Sequence, residues 1–141
     1  MEIKLFTNEN AKKYITKVVK NRVNIEQQFY HNASHWLKEP NDVKCYALCE
    51  EDKVINIILL SKCDHDPEEK HTTPYILDFI YTFPEYRRSN FAYRMLIYIK
   101  PKEQITTFCS NDESEKLFKK AEYIYSGLDP LKNKLPIFRF P

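Results

Sequence analysis

Two adjacent guanidinium groups, Arg87 and Arg88, follow an apolar run over 75–83 and precede a helical pattern with Ala92, Met95, Leu96 and Ile99 on one face. The first turn of a helix leaves backbone N–H groups unpaired and carries the positive end of the helix dipole. A strand delivered into such a turn builds an anion site, and the two arginines add charge beside it. Ser89 and Ala92 are small enough for a diphosphate to approach the backbone closely. The chain has a single glycine, Gly127, so this turn must form without the residue such loops usually employ.

Asp78 is the one carboxylate in the 75–83 run. Under strict alternation it shares a strand face with Ile76, Ile80 and Thr82, where apolar neighbours would make it a stronger base. It could equally cap a turn, pair with a lysine or face solvent. Other groupings point less clearly to chemistry. Cys45, Cys49, Cys63 and His65 are metal-ligating types, but Cys45 and Cys49 lie four apart on an expected strand, about 13 Å from each other. They are read as core thiols. His31 and His35 have metalloprotease spacing, yet Asn32 replaces the glutamate that chemistry needs. That helix, with His31, His35 and Trp36, reads as an ordinary, partly exposed helix, unless a family resemblance places it beside an acceptor. Asp64, Asp66, Glu68 and Glu69 form a solvated acidic loop that could attract a cation.

The elements that must position these residues follow from periodicity. A strand is expected over 2–6, then a helix with Thr7, Asn8 and Asn10 as cap candidates and Ala11, Tyr14, Ile15 and Val18 on one face. A second helix spans about 25–37, stopped by Pro40. Strands over 43–50 and 54–61 form a hairpin around the polar turn Glu51-Asp52-Lys53. The loop over 62–73, the strand over 75–83 and the helix ending before Pro101 come next. A short strand over 105–109 leads to a helix capped by Asn111 or Ser110 and containing Leu117, Phe118 and Ala121. Strands over 123–126 and 136–140 close the chain. The order β-α-α-β-β-β-α-β-α-β-β is a mixed α/β sandwich: one central, mostly antiparallel sheet with helices on both faces.

Composition narrows the class. A chain of 141 residues, 43% hydrophobic and 30% charged, suits one domain over 1–141. A net charge of +2 with scattered Lys and Arg gives no nucleic-acid footprint. The opening Met1-Glu2-Ile3-Lys4 has no apolar signal region, no apolar stretch is long enough to span a bilayer, and four cysteines without a secretory signal fit a reducing compartment. A soluble, cytoplasmic protein is expected, with no membrane contact, no metal and an open oligomeric state.

The segment Thr82-Phe83-Pro84-Glu85-Tyr86-Arg87-Arg88-Ser89-Asn90-Phe91-Ala92 resembles the acetyl-CoA signature of the GNAT N-acetyltransferase superfamily. There, a strand ending Val-x-Pro-x-Tyr-Arg leads into Arg/Gln-x-x-Gly-x-Gly/Ala. Pro84, Tyr86, Arg87 and Ala92 match, and Asn90 stands at the family's glycine. Asn is the non-glycine residue best suited to positive φ. Downstream, Asn111, Leu117 and Lys120 match the family pattern Asn-x-x-Ala-x-x-Leu-Tyr-x-Lys-x-Gly-Phe, with Ser114, Phe118 and Tyr123 as near substitutions. The element order follows the family over nearly the whole chain.

The resemblance implies acetyl transfer from acetyl-CoA to a primary amine on a small molecule or a protein. It implies that the backbone of Ile80, Tyr81 and Thr82 binds the pantetheine arm, that Arg87, Arg88, Ser89, Asn90, Phe91 and Ala92 bind the diphosphate, and that Asn111 and Phe118 touch the cofactor. Asp78 becomes the candidate general base and a backbone N–H near Thr82 the oxyanion donor. Phe118 occupies the position of a tyrosine whose hydroxyl protonates the departing thiolate. Water, Cys109, Ser110 or Tyr123 would have to substitute, or the domain is a weakly active module that binds coenzyme A or a partner.

Overall fold

The computed structural model describes residues 1–21, 25–40, 42–62, 74–109, 111–129 and 135–139. Strand β1 (Glu2–Thr7) runs straight into helix α1 (Asn8–Asn21), and α2 (Gln27–Leu37) follows. Strands β2 (Val43–Glu50), β3 (Lys53–Lys62) and β4 (Pro74–Thr82) precede α3 (Phe91–Ile99) and β5 (Gln104–Phe108). Helix α4 (Asp112–Lys120) and strands β6 (Ile124–Asp129) and β7 (Leu135–Arg139) complete the predicted order, with ends moved by a residue or a few.

The direct step from β1 to α1 is made at Asn8, whose φ of 49° reverses the chain without a loop. Its side-chain oxygen accepts a bond from the Val43 N–H at 3.2 Å, fixing the helix start to β2. Ala11, Ile15 and Val18 are the buried face of α1, at the expected spacing. The seven strands form one sheet in the order β1-β2-β3-β4-β5-β7-β6, and each described pairing except β4–β5 is antiparallel.

Helices cover both faces, so the sheet separates two cores. On one side Phe91, Met95, Leu96 and Ile99 of α3 and Phe118 of α4 pack on Ile58, Leu60 and Leu77. On the other, Ala11, Ile15 and Val18 of α1 and Phe29, Ala33 and Trp36 of α2 pack on Ile57, Leu59 and Phe79. Strand β3 is therefore buried on both faces, and only Asn56, itself buried, interrupts its apolar residues from Val54 to Leu60. No helix among the described residues is long and apolar enough to cross a membrane.

Candidate functional site

The site begins with an irregularity in β4. Leu77 pairs with Leu60 and Phe79 with Leu59, which leaves Asp78 as an extra residue in a β-bulge. The strand changes face there. Tyr75, Leu77 and Ile80 pack on the α3–α4 side, whereas Phe79, Tyr81 and Phe83 join the α1–α2 core. This corrects the expectation from strict alternation: Asp78 is exposed on the wall of a cleft, not set with Ile76, Ile80 and Thr82 on one apolar face.

Just before the bulge, β4 loses its other neighbour. Strands β4 and β5 pair only from Pro74–Gln104 to Ile76–Thr106. At the vertex the Thr107 hydroxyl donates to the Leu77 carbonyl at 3.3 Å. Strand β4 stays paired with β3 up to Thr82, and the Phe83 N–H donates to the Ile55 carbonyl at 3.0 Å. Backbone groups alternate in direction along a strand, so those of Ile80 and Thr82 point to the vacated edge and those of Tyr81 to β3. Of the three residues expected to act through their backbone, Tyr81 thus has its N–H and C=O turned to β3. The gap opens into a cleft of about 640 Å³, lined by β4, by α4 and by the N-terminal half of α2.

The chain then turns into α3 through left-handed backbone. Arg88 (φ 71°) and Asn90 (φ 60°) are both left-handed. Asn90 thus holds the conformation the family's glycine would supply. Its carbonyl accepts from the Arg94 N–H at 3.0 Å and starts the helix, while its side chain caps nothing. That side chain instead accepts from Lys120 Nζ at 3.4 Å, which brings an ammonium from the last turn of α4 to the first turn of α3. Lys120 is a candidate that pattern matching alone leaves without a role. Arg88, Ser89 and Asn90 are exposed, Ala92 lines the cleft, and Phe91 buries its ring, leaving its backbone to the turn.

Arg87 is engaged with the chain itself. Its Nε donates to the Thr82 carbonyl at 2.9 Å, Nη2 pairs with Glu26, and the guanidinium lies 5.3 Å from the centre of the Tyr81 ring. Glu26 also accepts from the Tyr81 hydroxyl at 2.5 Å. The bond from Tyr81, then that from Arg87, hold the Glu26 carboxyl below the usual carboxylate range. Burial, then Glu26, push Tyr81 up to about 12. Beneath them, Phe29 of α2 packs its ring against Phe79, Tyr81 and Phe83 at 5.0–6.0 Å.

Helix α2 borders the cleft through Gln28 and Asn32, with Glu26 at its cap. His31 and His35 are exposed outside the cleft, rings 4.6 Å apart, and Trp36 is buried with its Nε1 donating to the Leu60 carbonyl at 3.0 Å. These three side chains thus lie away from the cleft, which Gln28 and Asn32 of the same helix line. On the opposite wall, Asn111 caps α4, its side-chain oxygen accepting from the Ser114 N–H at 2.8 Å. Asn111, Ser114, Leu117 and Phe118 line the cleft, and the Phe118 ring is buried against Tyr123 at 5.1 Å. Cys109 and Tyr123 are buried, and burial followed by Glu115 pushes the Cys109 thiol up to about 11. Ser110 lies outside the described residues, as do Cys63, His65 and the acidic run of Asp64, Asp66, Glu68 and Glu69. Cys45 and Cys49 are buried, and no group of three or more His, Cys, Asp or Glu among the described residues is placed to hold a metal.

No protein-family model and no curated protein matches the sequence. Solved structures do match the fold. A Desulfovibrio desulfuricans protein assigned to the GNAT acetyltransferase family superposes with a TM-score of 0.65 at 9% identity, over 99% of this chain and 98% of its own. The Bacillus subtilis N-acetyltransferase YlbP, in complex with coenzyme A, gives 0.61 at 14% identity over 99% and 97%. A GNAT-family acetyltransferase from Bacillus cereus gives 0.53 at 18% identity over 99% and 96%. The chain has the GNAT fold.

Proposed function

We propose that this protein is an acetyl-CoA-dependent N-acetyltransferase acting on a primary amine. One observation carries the reading: β4 bulges at Asp78 and parts from β5 while leading into an uncapped, left-handed turn at the start of α3. The turn offers N–H groups and the Arg88 and Lys120 cations to a diphosphate. The open edge at Ile80 and Thr82 offers an amide ladder to an extended arm, with Asn111 and Phe118 on its far side. Coenzyme A has both features, and the YlbP structure holds it in the same fold.

The seam passes through the sheet, so cofactor from the α3–α4 face and amine from the α2 face would meet at the bulge. Asp78 takes the proton of the amine as its nitrogen bonds to the acyl carbon. A backbone N–H of the open edge near Thr82 holds the developing oxyanion, and the carbon–sulfur bond breaks to release the thiolate. Thiolates are good leaving groups near neutral pH, so the missing hydroxyl at Phe118 is compatible with turnover. That same buried ring favours a second reading, a module that binds coenzyme A with little turnover.

Thermal melting with acetyl-CoA tests both. At ~100 times Kd the ligand adds about 2.7 kcal/mol, a rise of several degrees in Tm. No rise at millimolar ligand sinks both readings. A thiol-release assay over an amine panel then separates them. Asp78→Asn is expected to lower kcat by about a hundredfold or more and remove the acid limb of the pH profile. An unchanged rate assigns the base elsewhere.

A further inference from the structure

The contacts of Arg87 occupy groups that a cofactor would use. Its Nε sits on the Thr82 carbonyl, which points to the open edge of β4, and its Nη2 is paired with the Glu26 carboxylate. Arg87 also opens the anion-binding turn, directly before Arg88. We propose that Glu26 competes with the cofactor diphosphate for Arg87, and so sets cofactor affinity from the acceptor side of the cleft. The proposal rests on the reading that the cleft takes coenzyme A.

The chemistry is an exchange of counter-ions. Glu26 and a diphosphate are both anions within reach of one flexible guanidinium, and the diphosphate carries the greater charge. Release of Arg87 from Glu26 supplies a cation to the turn. The same movement frees the Thr82 carbonyl to accept from an amide N–H of the arm. One side-chain movement thus provides for two polar groups that coenzyme A carries in sequence. Glu26 is not left bare, because the Tyr81 hydroxyl still donates to it. The pair is half exposed, with side chains 44% and 46% accessible, so the exchange needs no unfolding and no burial of charge. Glu26 caps α2, which carries Gln28 and Asn32 on the cleft wall, so it is a positioning residue between the two sides.

The test is direct titration of acetyl-CoA into the wild type, Glu26→Gln, Arg87→Ala and the double variant. Glu26→Gln is expected to bind about two- to fivefold more tightly, the equilibrium an exposed ion pair of this kind is worth. A gain in affinity is a result that local structural damage does not produce. Arg87→Ala should bind more weakly than wild type, and adding Glu26→Gln to it should change nothing further. Equal or weaker binding by Glu26→Gln, or the same gain in the absence of Arg87, overturns the exchange while leaving the acetyl-CoA reading intact. If neither wild type nor Glu26→Gln binds acetyl-CoA, both fall.

Discussion

Arg88 is exposed and in left-handed backbone just before α3, while Arg87 is tied to Glu26 and Thr82. Two neighbouring residues of the same type therefore have different parts, a distinction that spacing alone does not make. Arg88→Ala is expected to raise the Kd for acetyl-CoA about tenfold, the worth of a charge-assisted hydrogen bond, with kcat at saturation little changed. Titration and saturation kinetics check it; a fall in kcat at constant Kd would place Arg88 in the chemical step instead. Phe118 is a clearer case at this scale. That its side chain carries no hydroxyl is read from sequence, and the structure adds that its ring is part of the core, against Tyr123 and Phe138.

The turn between β4 and α3 depends on Asn90, at φ 60° in a chain with one glycine. Asn90→Ala should destabilise by about 1–2 kcal/mol, the cost of holding a Cβ in left-handed backbone, and Asn90→Gly should be nearly neutral. Paired melting curves decide; equal Tm losses in both variants would mean that the bond from Lys120, not the backbone, is what Asn90 supplies. At this scale much was legible in advance. The helix faces at Ala11–Val18, the hairpin of β2 and β3, and the cap at Asn111 follow from local periodicity and cap chemistry. The bulge at Asp78 was not, because an apolar run alternates equally well with or without an extra residue until its partner strand is known. Nor was Glu26, whose partners Tyr81 and Arg87 are 55 and 61 positions away. Such pairings come from tertiary contact and leave no local signal.

Across the whole molecule, buried acidic protons form a shared dependence on pH. Burial pushes Cys109 up to about 11 and raises Cys45, Tyr14, Tyr46 and Tyr123 above their ordinary values, and Tyr81 reaches about 12. Each folded value lies above the unfolded one, so each contribution is full below the unfolded pKa and lost as pH rises toward the folded one. With unfolded thiols near 8.5 and phenols near 10, Tm should be flat to about pH 8 and fall from about pH 9. Glu26 has the opposite sign: its contribution is present above about 4.3 and disappears as pH falls through its lower folded value. A melting series from pH 6 to 11 tests the alkaline limb; a flat profile to pH 11 would contradict the burial. Buried Glu103, bonded to Lys44 at 2.8 Å and to the Tyr46 hydroxyl at 2.5 Å, joins the end of α3 to β2 across the same core.

The early parting of β4 from β5 has a mechanical meaning. The sheet is a plate cracked from one margin, with the crack tip at Ile76–Thr106 bridged by the Thr107 hydroxyl. An extended guest lodged in the crack would act as mortar, restoring rungs that the polypeptide omits, and would stiffen the plate along that line. Isotope exchange at the amides of Ile80 and Thr82 would then slow when the guest is present, while the already mortared β2–β3 joint would hardly change.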